Sequence, residues 1–412
     1  MRRFSAEAKP IQAPDKSSKP ALSGEERRSV ASLAAIYASR MLGLFLLLPV
    51  LALYAQKLPD YSPVLLGLAM GAYGLTQAIM QIPFGRLSDR LGRKPVIAAG
   101  LLLYAAGSLI GALGHTVAAL IAARAVQGAG AVSAAVTALV ADLTRPEVRT
   151  RAMAFIGISI GLSFIVALVL APILDAAIGV PGIFVMMMVL AIGSIGLLFF
   201  AVPPQPARDP DAAPSRFAGL GEMLRRAELR PLYFGIFALH FIMTATFLSV
   251  PQVLQTQLGI LSASHWIVYL GVFLLSLFGT VPLIFGTERG QRGPALFVLA
   301  VVLLGAAQIL LAVEHRHLWP VLGSLVLFFA VFNYLEARLP SLLTQTAPEA
   351  QRGAALGIFA TSQFLGAFLG GALGGVLLGR YGLTGVFWGS AAIAALWALI
   401  ARTAAARTAV SH

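Results

Sequence analysis

The sequence contains no cysteine and little charge. Without cysteine the chain has no disulfide and no thiolate metal site. Charged residues make up only 11% of the 412 residues, whereas hydrophobic residues make up 58%. A soluble protein exposes far more charge than this, so lipid is the expected solvent for most of the surface. In lipid only helices and closed barrels satisfy the hydrogen bonds of the backbone.

The apolar residues occur in long runs rather than in a period-two alternation. Runs of about 20 residues are typical of membrane-spanning helices. Twelve such runs predict twelve transmembrane helices, at residues 30–56, 63–84, 95–114, 117–141, 152–176, 181–203, 230–256, 265–286, 294–313, 319–343, 353–378 and 381–401.

Acidic residues are scarce, with 17 Asp and Glu against 30 Lys and Arg, and the net charge is +13. If the N-terminus is cytoplasmic, the N-terminal tail and the loops on its side hold 24 of the 30 cations. The opposite loops hold only Lys57, Arg316 and Arg380. This asymmetry follows the positive-inside rule and predicts that both termini are cytoplasmic. The distribution does not favour nucleic-acid binding, which needs a basic patch on a soluble surface.

The helices fall into two groups of six around a proline-rich polar interruption. We predict a disordered cytoplasmic tail at 1–28, with no segment of signal-peptide type. The other predicted units are an N-terminal bundle at 29–203, a cytoplasmic linker at 204–229, a C-terminal bundle at 230–402 and a cytoplasmic tail at 403–412. Within the linker, Phe217 to Leu229 has the composition of a short amphipathic surface helix.

The two groups of helices share sequence features at a nearly constant offset. Asp89, Arg90, Arg93 and Pro95 correspond to Glu288, Arg289, Arg292 and Pro294, 199 positions later. Arg40 in helix 1 precedes His240 in helix 7 by 200 positions. We therefore expect parallel repeats related by an axis along the membrane normal.

Three motifs resemble the Major Facilitator Superfamily. Gly85-x-Leu-Ser-Asp-Arg-x-Gly-Arg-Lys resembles its loop 2–3 signature, and Leu120-x-x-x-Arg124-x-x-Gln127-Gly128-x-Gly130 resembles the helix 4 motif of its proton-linked drug-efflux families. Asn333-x-Leu-Glu336-x-x-x-Pro340-Ser341-Leu342 is similar to the bacterial YajR-type branch. Over residues 30–401 the resemblance implies an all-α polytopic membrane protein with two pseudo-symmetric six-helix bundles.

The loop 2–3 motif is interpreted as a conformational latch, as the resemblance implies. Gly85 and Gly92 are expected to permit a tight reversal, and Pro95 suits the first turn of helix 3. Asp89 is expected at the N-terminus of helix 11 near Gly353, where the helix dipole is positive. The predicted latch consists of Gly85, Asp89, Arg90, Gly92, Arg93 and Asp142, with Arg93 paired to Asp142. The alternative is that these charges only set the membrane topology.

Four residues within the helices are candidates for proton coupling. Arg124 must face a polar cavity or a counter-charge, because a cation in hydrocarbon is costly. The resemblance makes it part of the coupling machinery, and the alternative is a structural clamp on backbone carbonyls. Glu336 and His240 can each bind and release a proton, and Arg40 is the fourth candidate. A static ion pair of Glu336 with Arg338 or Arg40 is the other interpretation.

Five amides are candidates for the wall of a substrate cavity: Gln77, Gln81, Gln127, Asn333 and Gln363. They could equally form hydrogen bonds between helices. Helix 1 has no acidic residue, and Arg40 in that helix favours an anionic or neutral substrate. Three glycines in helix 11, Gly366, Gly370 and Gly374, predict close helix packing.

We therefore expect a monomeric transporter in a bacterial inner membrane, working by alternating access. The predicted activity is proton-coupled efflux of a small, fairly apolar compound, with no cofactor besides the proton gradient. Proton-coupled uptake of a metabolite is the alternative, and a transporter-like sensor without turnover is a third. No nucleophile–base pair indicates an enzyme. Glu314, His315 and His317 have metal-ligand types, but they lie in an exposed loop and predict no metal site.

Overall fold

The computed structural model describes residues 22–204, 219–288 and 293–410. Nearly all of these residues are helical, and none lies in a strand. The α-helices of this part of the chain are α1 (Gly24–Leu46), α2 (Leu51–Ala55), α3 (Pro63–Leu91), α4 (Arg93–Leu113), α5 (Val117–Ala129), α6 (Ser133–Asp142), α7 (Pro146–Phe200), α8 (Leu220–Arg225), α9 (Arg230–Gln252), α10 (His265–Glu288), α11 (Gly293–Glu314), α12 (Leu318–Thr346) and α13 (Arg352–Val410). A π-helix at Val253–Gln257 extends α9, and single 3₁₀ turns occur at Ser262–Ser264 and Glu349–Gln351.

Ten helical stretches of the described residues are long and apolar enough to cross a membrane. Two of them, α7 and α13, have 55 and 59 residues, more than twice the length of about 20 residues that a bilayer needs. Each contains one glycine with positive φ, Gly179 (68°) or Gly382 (66°), which no other residue type adopts as readily. These glycines divide the two helices, so the described residues form twelve apolar helical segments, as predicted.

The chain reverses direction at Gly382. The side chain of Leu377 lies against Gly389, twelve residues further along the sequence. In a straight helix these residues would be about 18 Å apart, since each residue adds about 1.5 Å. The two halves of α13 are therefore antiparallel neighbours, and each is a separate span.

The first helix begins earlier than predicted. Ser23 caps α1: its side chain accepts from the backbone N–H of Glu26, and the Glu26 carboxylate accepts from the N–H of Ser23. This reciprocal pair is a strong helix start. The prediction of a disordered tail over 1–28 is therefore wrong for residues 24–28. Residues 1–21 lie outside the described part.

The other predicted boundaries differ in a similar way. Helix α13 continues to Val410, through most of the predicted tail at 403–412. In the linker, α8 lies inside the segment that was predicted to form a short helix, and its Met223 is fully buried. The rest of the linker, 205–218, is not described.

The charged hairpin is tighter than the sequence suggested. Helix α3 continues to Leu91 rather than ending near residue 84, so Gly85 lies inside the helix and does not form the reversal. Gly92 alone makes the turn, with φ 92°. The prediction for Gly85 was wrong because a glycine in a charged segment can also remain helical. Pro95 lies in the first turn of α4, as expected.

The two six-helix halves meet on one side of the molecule. We call this the distal side, defined by the connections at residues 56–62 and 253–264, and we call the opposite side, where α1 begins, the terminal side. On the distal side Gln56 donates a hydrogen bond to Gln252 across the halves (2.8 Å). The rings of Phe164 and Phe247 also meet across the halves at 6.3 Å.

Buried apolar residues form two clusters, and the division follows the same sides. The larger cluster contains C-terminal residues from Met223 to Ala401 together with N-terminal residues near the distal side, such as Leu51 and Phe184. The smaller cluster, which includes Val30 and lies near the terminal side, contains residues of the N-terminal half only. Among the described residues the halves thus share a core on the distal side and have separate cores on the terminal side.

The first span of α13 packs against both halves through glycine. The predicted stripe of Gly366, Gly370 and Gly374 faces α9, and this close packing is confirmed. A second pair, Gly371 and Gly375, faces α3 of the other half. A methyl group on Gly371 would lie 2.6 Å from the carbonyl oxygen of Gly67 in α3, closer than real Cβ atoms approach.

Candidate functional site

Arg40 lies at the centre of a polar cluster in the N-terminal half. It projects from the middle of α1 and is 3% exposed. Its Nη1 donates to Ser133 Oγ (3.0 Å), and its Nη2 donates to Gln77 Oε1 (2.5 Å). Gln77 in turn donates to Gln81 one turn along α3 (2.8 Å). The i, i+4 spacing that put both amides on one face produces this chain of hydrogen bonds.

Arg124 lies beside Arg40 in the same cluster. It is also 3% exposed, in agreement with the expectation that it faces the interior. Its Nη1 donates to Gln127 Oε1 (3.0 Å), and Gln127 donates to Ser108 Oγ (2.8 Å). Its guanidinium lies 4.7 Å from the ring centroid of Tyr73. These contacts are to side chains, whereas the clamp interpretation required backbone carbonyls.

The two guanidinium groups share their aromatic neighbours. The Arg40 guanidinium lies 5.7 Å from the Tyr73 ring and 5.9 Å from the Tyr104 ring. No ion pair links either arginine to a carboxylate within the described part of the chain. A cation at the centre of a bilayer costs about 2.5–3.5 kcal/mol on insertion scales, whereas one cation–π contact returns about 0.5–2 kcal/mol. Because neither arginine is paired with a carboxylate in the described part of the chain, the cluster has an excess of positive charge.

The C-terminal half holds a second polar cluster around Glu336. Gln363 Nε2 donates to His240 Nε2 (2.8 Å) and lies 3.5 Å from Glu336 Oε1. His240 Nδ1 faces the carbonyl of Ile236 at 3.3 Å and Glu336 Oε2 at 3.9 Å. Because Nε2 accepts from the amide, the proton of a neutral imidazole lies on Nδ1 and points toward the carbonyl and the carboxylate.

The Glu336 side chain is 40% exposed, although it lies within a membrane-spanning helix. Its two polar neighbours are His240 of α9 and Gln363 of α13. Its ion-pair contact among the described residues is His240, so the static pairs with Arg40 or Arg338 are not formed. Asn333, one turn earlier on α12, has a buried amide nitrogen without a described hydrogen-bond partner.

Aromatic rings fill the space between the two clusters. Phe164 of α7 contacts Phe45 of α1 (5.0 Å), and it stacks on Phe332 of α12 at 6.2 Å. Phe332 is in turn 6.2 Å from the His240 ring. The aromatic bridge Phe45–Phe164–Phe332 thus connects the helix that carries Arg40 to the ring that faces Glu336.

The structure brings three charged residues of the predicted latch, Asp89, Arg93 and Asp142, into contact. Arg93 pairs with Asp142 (3.2 Å), as expected, and it also pairs with Asp89 (2.5 Å) and donates to Ser88 Oγ (2.6 Å). The ion pair of Asp89 therefore lies within its own hairpin. Gly353, the expected partner region in the other half, is exposed, and Arg90 is exposed beside the hairpin.

Sequence reasoning missed the residues that complete the N-terminal cluster. Tyr73, Tyr104 and Ser133 are all buried there. Tyr73 lies four residues before Gln77, so the helical period could have placed it on the same face. Tyr104 and Ser133 have no comparable signal, because their helices bring them close only through tertiary packing.

A separate apolar crevice contains none of these polar residues. It has a volume of about 490 Å³ and lies between α10, α11 and α12. Phe278 in its wall is 80% exposed, which places the crevice on the outer surface. No group of three potential metal ligands occurs in the described ranges.

The sequence and the fold are similar to those of known proteins. The profile of the Major Facilitator Superfamily matches residues 33–334. The chain belongs to the Major Facilitator Superfamily. It is 42% identical to "Inner membrane transport protein YajR" of Escherichia coli over 379 residues, which cover 92% of this chain and 83% of YajR. The predicted family and its YajR-type branch are thereby confirmed.

Two further likenesses are more limited. The "Quinolone resistance protein NorA" of Staphylococcus aureus is 33% identical over 126 residues, 30% of this chain and 32% of NorA. The crystal structure of a bacterial homologue of the human lysosomal transporter Spinster, inward-facing and occupied, superposes with a TM-score of 0.74. It has 14% identity and covers 93% of this chain and 97% of that structure, so it shows the fold alone.

Membership of the superfamily decides the broad function. The chain is a membrane transporter for a small molecule rather than an enzyme, as the sequence predicted. Its two polar clusters occupy the central helices of the two halves, where transporters of this fold type hold their cargo and coupling ions.

Proposed function

We propose that this member of the superfamily is a secondary active transporter that couples proton entry to the export of a small, fairly apolar compound. The carrying observation is that the Glu336 side chain is 40% exposed within a membrane-spanning helix and that its carboxylate lies 3.9 Å from His240. An ionisable group at this depth is costly unless it serves a pathway for ions or substrate. Glu336 is the proton carrier, and His240 is its immediate neighbour.

The arrangement of the halves supports alternating access. The halves share an apolar core on the distal side and keep separate cores on the terminal side. Release of the distal contacts and closure of the terminal side would expose the same central clusters to the opposite face. No step requires a change inside either bundle, because each has its own packed interior.

Direction and topology are further parts of the proposal. The positive charge of the predicted cytoplasmic loops supports a bacterial inner-membrane location with both termini in the cytoplasm. Export is supported by the partial likeness to NorA, whose name describes drug resistance. On this topology the terminal side faces the cytoplasm.

The charged hairpin is proposed as the conformational latch. Arg93 is almost fully buried and contacts Asp89, Asp142 and Ser88, so it holds the turn at Gly92 against the end of α6. When the terminal side closes, this rigid hairpin is available to contact the beginning of α13. The latch stabilises the outward-open state.

Coupling is tested by transport in proteoliposomes with an imposed pH gradient. A ligand-induced thermal-shift screen on the purified protein supplies a transported compound. The gradient should drive its accumulation in the wild type. In Glu336→Gln the gradient should have no effect, while exchange of labelled for unlabelled compound continues, because the cavity is intact and only the proton site is lost.

The matched control for this test is Glu314→Gln, since Glu314 is the last residue of α11 and its side chain contacts only the exposed His317 among the described residues. It should transport normally. Wild-type transport that ignores the pH gradient would refute proton coupling. Gradient-driven transport that persists in Glu336→Gln would move the proton site elsewhere.

A further inference from the structure

The N-terminal cluster has a charge that its own residues do not balance. Arg40 and Arg124 are both 97% buried and lie close to the same Tyr73 ring. Their described partners are neutral amides, a hydroxyl and aromatic rings. Buried charges in proteins are ordinarily paired, because desolvation costs several kcal/mol for each ion. An anion from outside the chain would balance the two cations.

Four hydrogen-bonding groups in this cluster lack a described partner. They are Nε of Arg40, Nε of Arg124, and the hydroxyls of Tyr73 and Tyr104, and all four atoms are inaccessible to solvent. A buried polar group without a partner is unfavourable. Each of the four can donate, and an acceptor with several lone pairs placed among them would satisfy them together. A carboxylate has two such oxygens.

We propose that Arg40, Arg124, Tyr73 and Tyr104 form a binding site for a compact anionic group, the carboxylate of an organic acid with an apolar body. The two guanidinium groups supply charge, and the two phenols supply neutral donors in fixed positions. An anion in this site restores neutrality to the cluster. A cationic compound is excluded by the same charge.

The aromatic bridge provides the surface for the apolar part of such an acid. Phe45 lies on the same helix as Arg40 and contacts Phe164, which continues the bridge toward Phe332 and His240. Aromatic rings bind apolar groups over a large area with little loss of conformational freedom. The bound acid would thus have its charge in one half and its body between the halves.

Binding of this anion as cargo rests on the proposed transport function, whereas binding itself does not. The first experiment is therefore a calorimetric titration of the purified full chain in detergent, without any gradient, in a buffer whose only anion is a bulky sulfonate. The ligands are benzoate, benzyl alcohol as the neutral analogue of similar size, and chloride alone. Saturable binding of benzoate but not of benzyl alcohol is the expected result.

Variants assign the binding to this cluster. Arg40→Gln and Arg124→Gln should each weaken benzoate binding by at least about tenfold, because a hydrogen bond to a charged group contributes that much or more. Tyr73→Phe and Tyr104→Phe keep the rings that face the cations and remove only a hydroxyl, so they should weaken binding by roughly threefold to tenfold. Arg380→Gln, which alters an exposed arginine of α13 close to the reversal at Gly382, is the matched control and should bind as the wild type does.

The phenol variants keep the proposal testable if an arginine variant fails to fold. Equal heats for benzoate and benzyl alcohol, or benzoate binding that none of the four variants changes, overturn the site. Saturable chloride binding without benzoate binding overturns the organic acid and assigns the cluster to an inorganic ion. Failure of benzoate to bind overturns the site but leaves proton coupling through Glu336 intact. Benzoate that binds but is never transported overturns the anion as cargo and leaves the binding site standing.

Discussion

The two halves of this transporter carry different polar clusters at equivalent places. The N-terminal cluster contains two arginines and no carboxylate among its described contacts. The C-terminal cluster contains Glu336 and His240, two titratable side chains 3.9 Å apart. Arg40 and His240 are 200 positions apart in the repeat.

The two halves thus repeat the same helix arrangement but place chemically different side chains in their polar clusters. A permanent cation attracts an anion but cannot release a proton, whereas a carboxylate beside an imidazole can do so. The repeat fixes where a polar side chain can reach the centre of each half, and the residue type decides its task. Each prediction below alters one half, or the contact between them.

The largest effect is expected from joining the halves on the distal side. The chain lacks cysteine, so the double variant Gln56→Cys/Gln252→Cys would contain two thiols only, at the positions whose amides now meet at 2.8 Å, and a reducible bifunctional thiol reagent would link them. A cross-link there should abolish transport, because the distal contacts can no longer open. Transport of the proteoliposomes is measured before and after reduction, which should restore it. Each single-cysteine variant serves as a control, and undiminished transport in the fully cross-linked protein would contradict distal opening.

A permanent positive charge in the C-terminal cluster should make it resemble the arginine cluster of the N-terminal half. His240→Arg places a guanidinium beside Glu336, and such an ion pair holds the carboxylate in its charged form. Gradient-driven transport should fall by about a hundredfold or more. His240→Gln, which adds no charge and can still bond with Gln363, should lose no more than about tenfold. If both variants transport equally well, the proton does not depend on this cluster.

A moderate effect is expected at the charged hairpin of the N-terminal half. Asp89→Asn removes the ion pair with Arg93 but leaves the pair of Arg93 with Asp142. Transport should slow several-fold, and the population should shift away from the outward-open form, since the latch is weakened. Modification of a single cysteine placed at Gln56 reports that population. Arg86→Gln alters an exposed arginine of the same hairpin that is not one of the latch residues, so it is the control. An equal shift in both variants would reduce the motif to a topology signal.

The smallest effect concerns an anchor that only the N-terminal half has. Asp60 accepts from the backbone N–H groups of Val117 (2.7 Å) and Ala118 (3.0 Å), and position 260 of the other half is Ile. These hydrogen bonds lower the pKa of Asp60 below its unfolded value of 3.8. The stabilisation is therefore complete above pH 3.8 and is lost as the pH falls through the lowered folded pKa.

Asp60→Asn should lower the thermal unfolding temperature at pH 7 by a few degrees at most, as loss of a helix cap does. The difference from the wild type should shrink below pH 3.8, where the wild-type carboxylate becomes protonated. Unfolding followed by tryptophan fluorescence between pH 7 and pH 3 checks this. A difference that stays constant over that range would mean that the carboxylate charge is not involved.

The sequence predicted the spans better than their ends. Apolar length alone identified twelve segments, because lipid leaves few alternatives to a helix. It did not show that α3 continues through Gly85, since charge and glycine in a hairpin are compatible with either helix or turn. The reciprocal cap at Ser23 extended α1 into a segment whose composition resembled a disordered tail.

The candidate site was predicted in its titratable members and missed in its aromatic ones. Arg40, Arg124, His240 and Glu336 stand out because charge within an apolar run is rare. Tyr73 and Tyr104 do not stand out, since aromatic residues are ordinary in membrane helices. Which of them lies beside a guanidinium depends on how α3 and α4 rotate against α1, and sequence periodicity does not fix that rotation.

We expect the glycine-lined faces of α13 to affect the speed of the transport cycle. Interdigitated side chains must separate before two helices can slide past each other, whereas glycine faces have no side chains to separate. Because the first span of α13 contacts both α3 and α9 through glycine, it can slide against either helix as the bundles move. The rate of the cycle would then depend mainly on how fast the few side-chain contacts on the distal side separate.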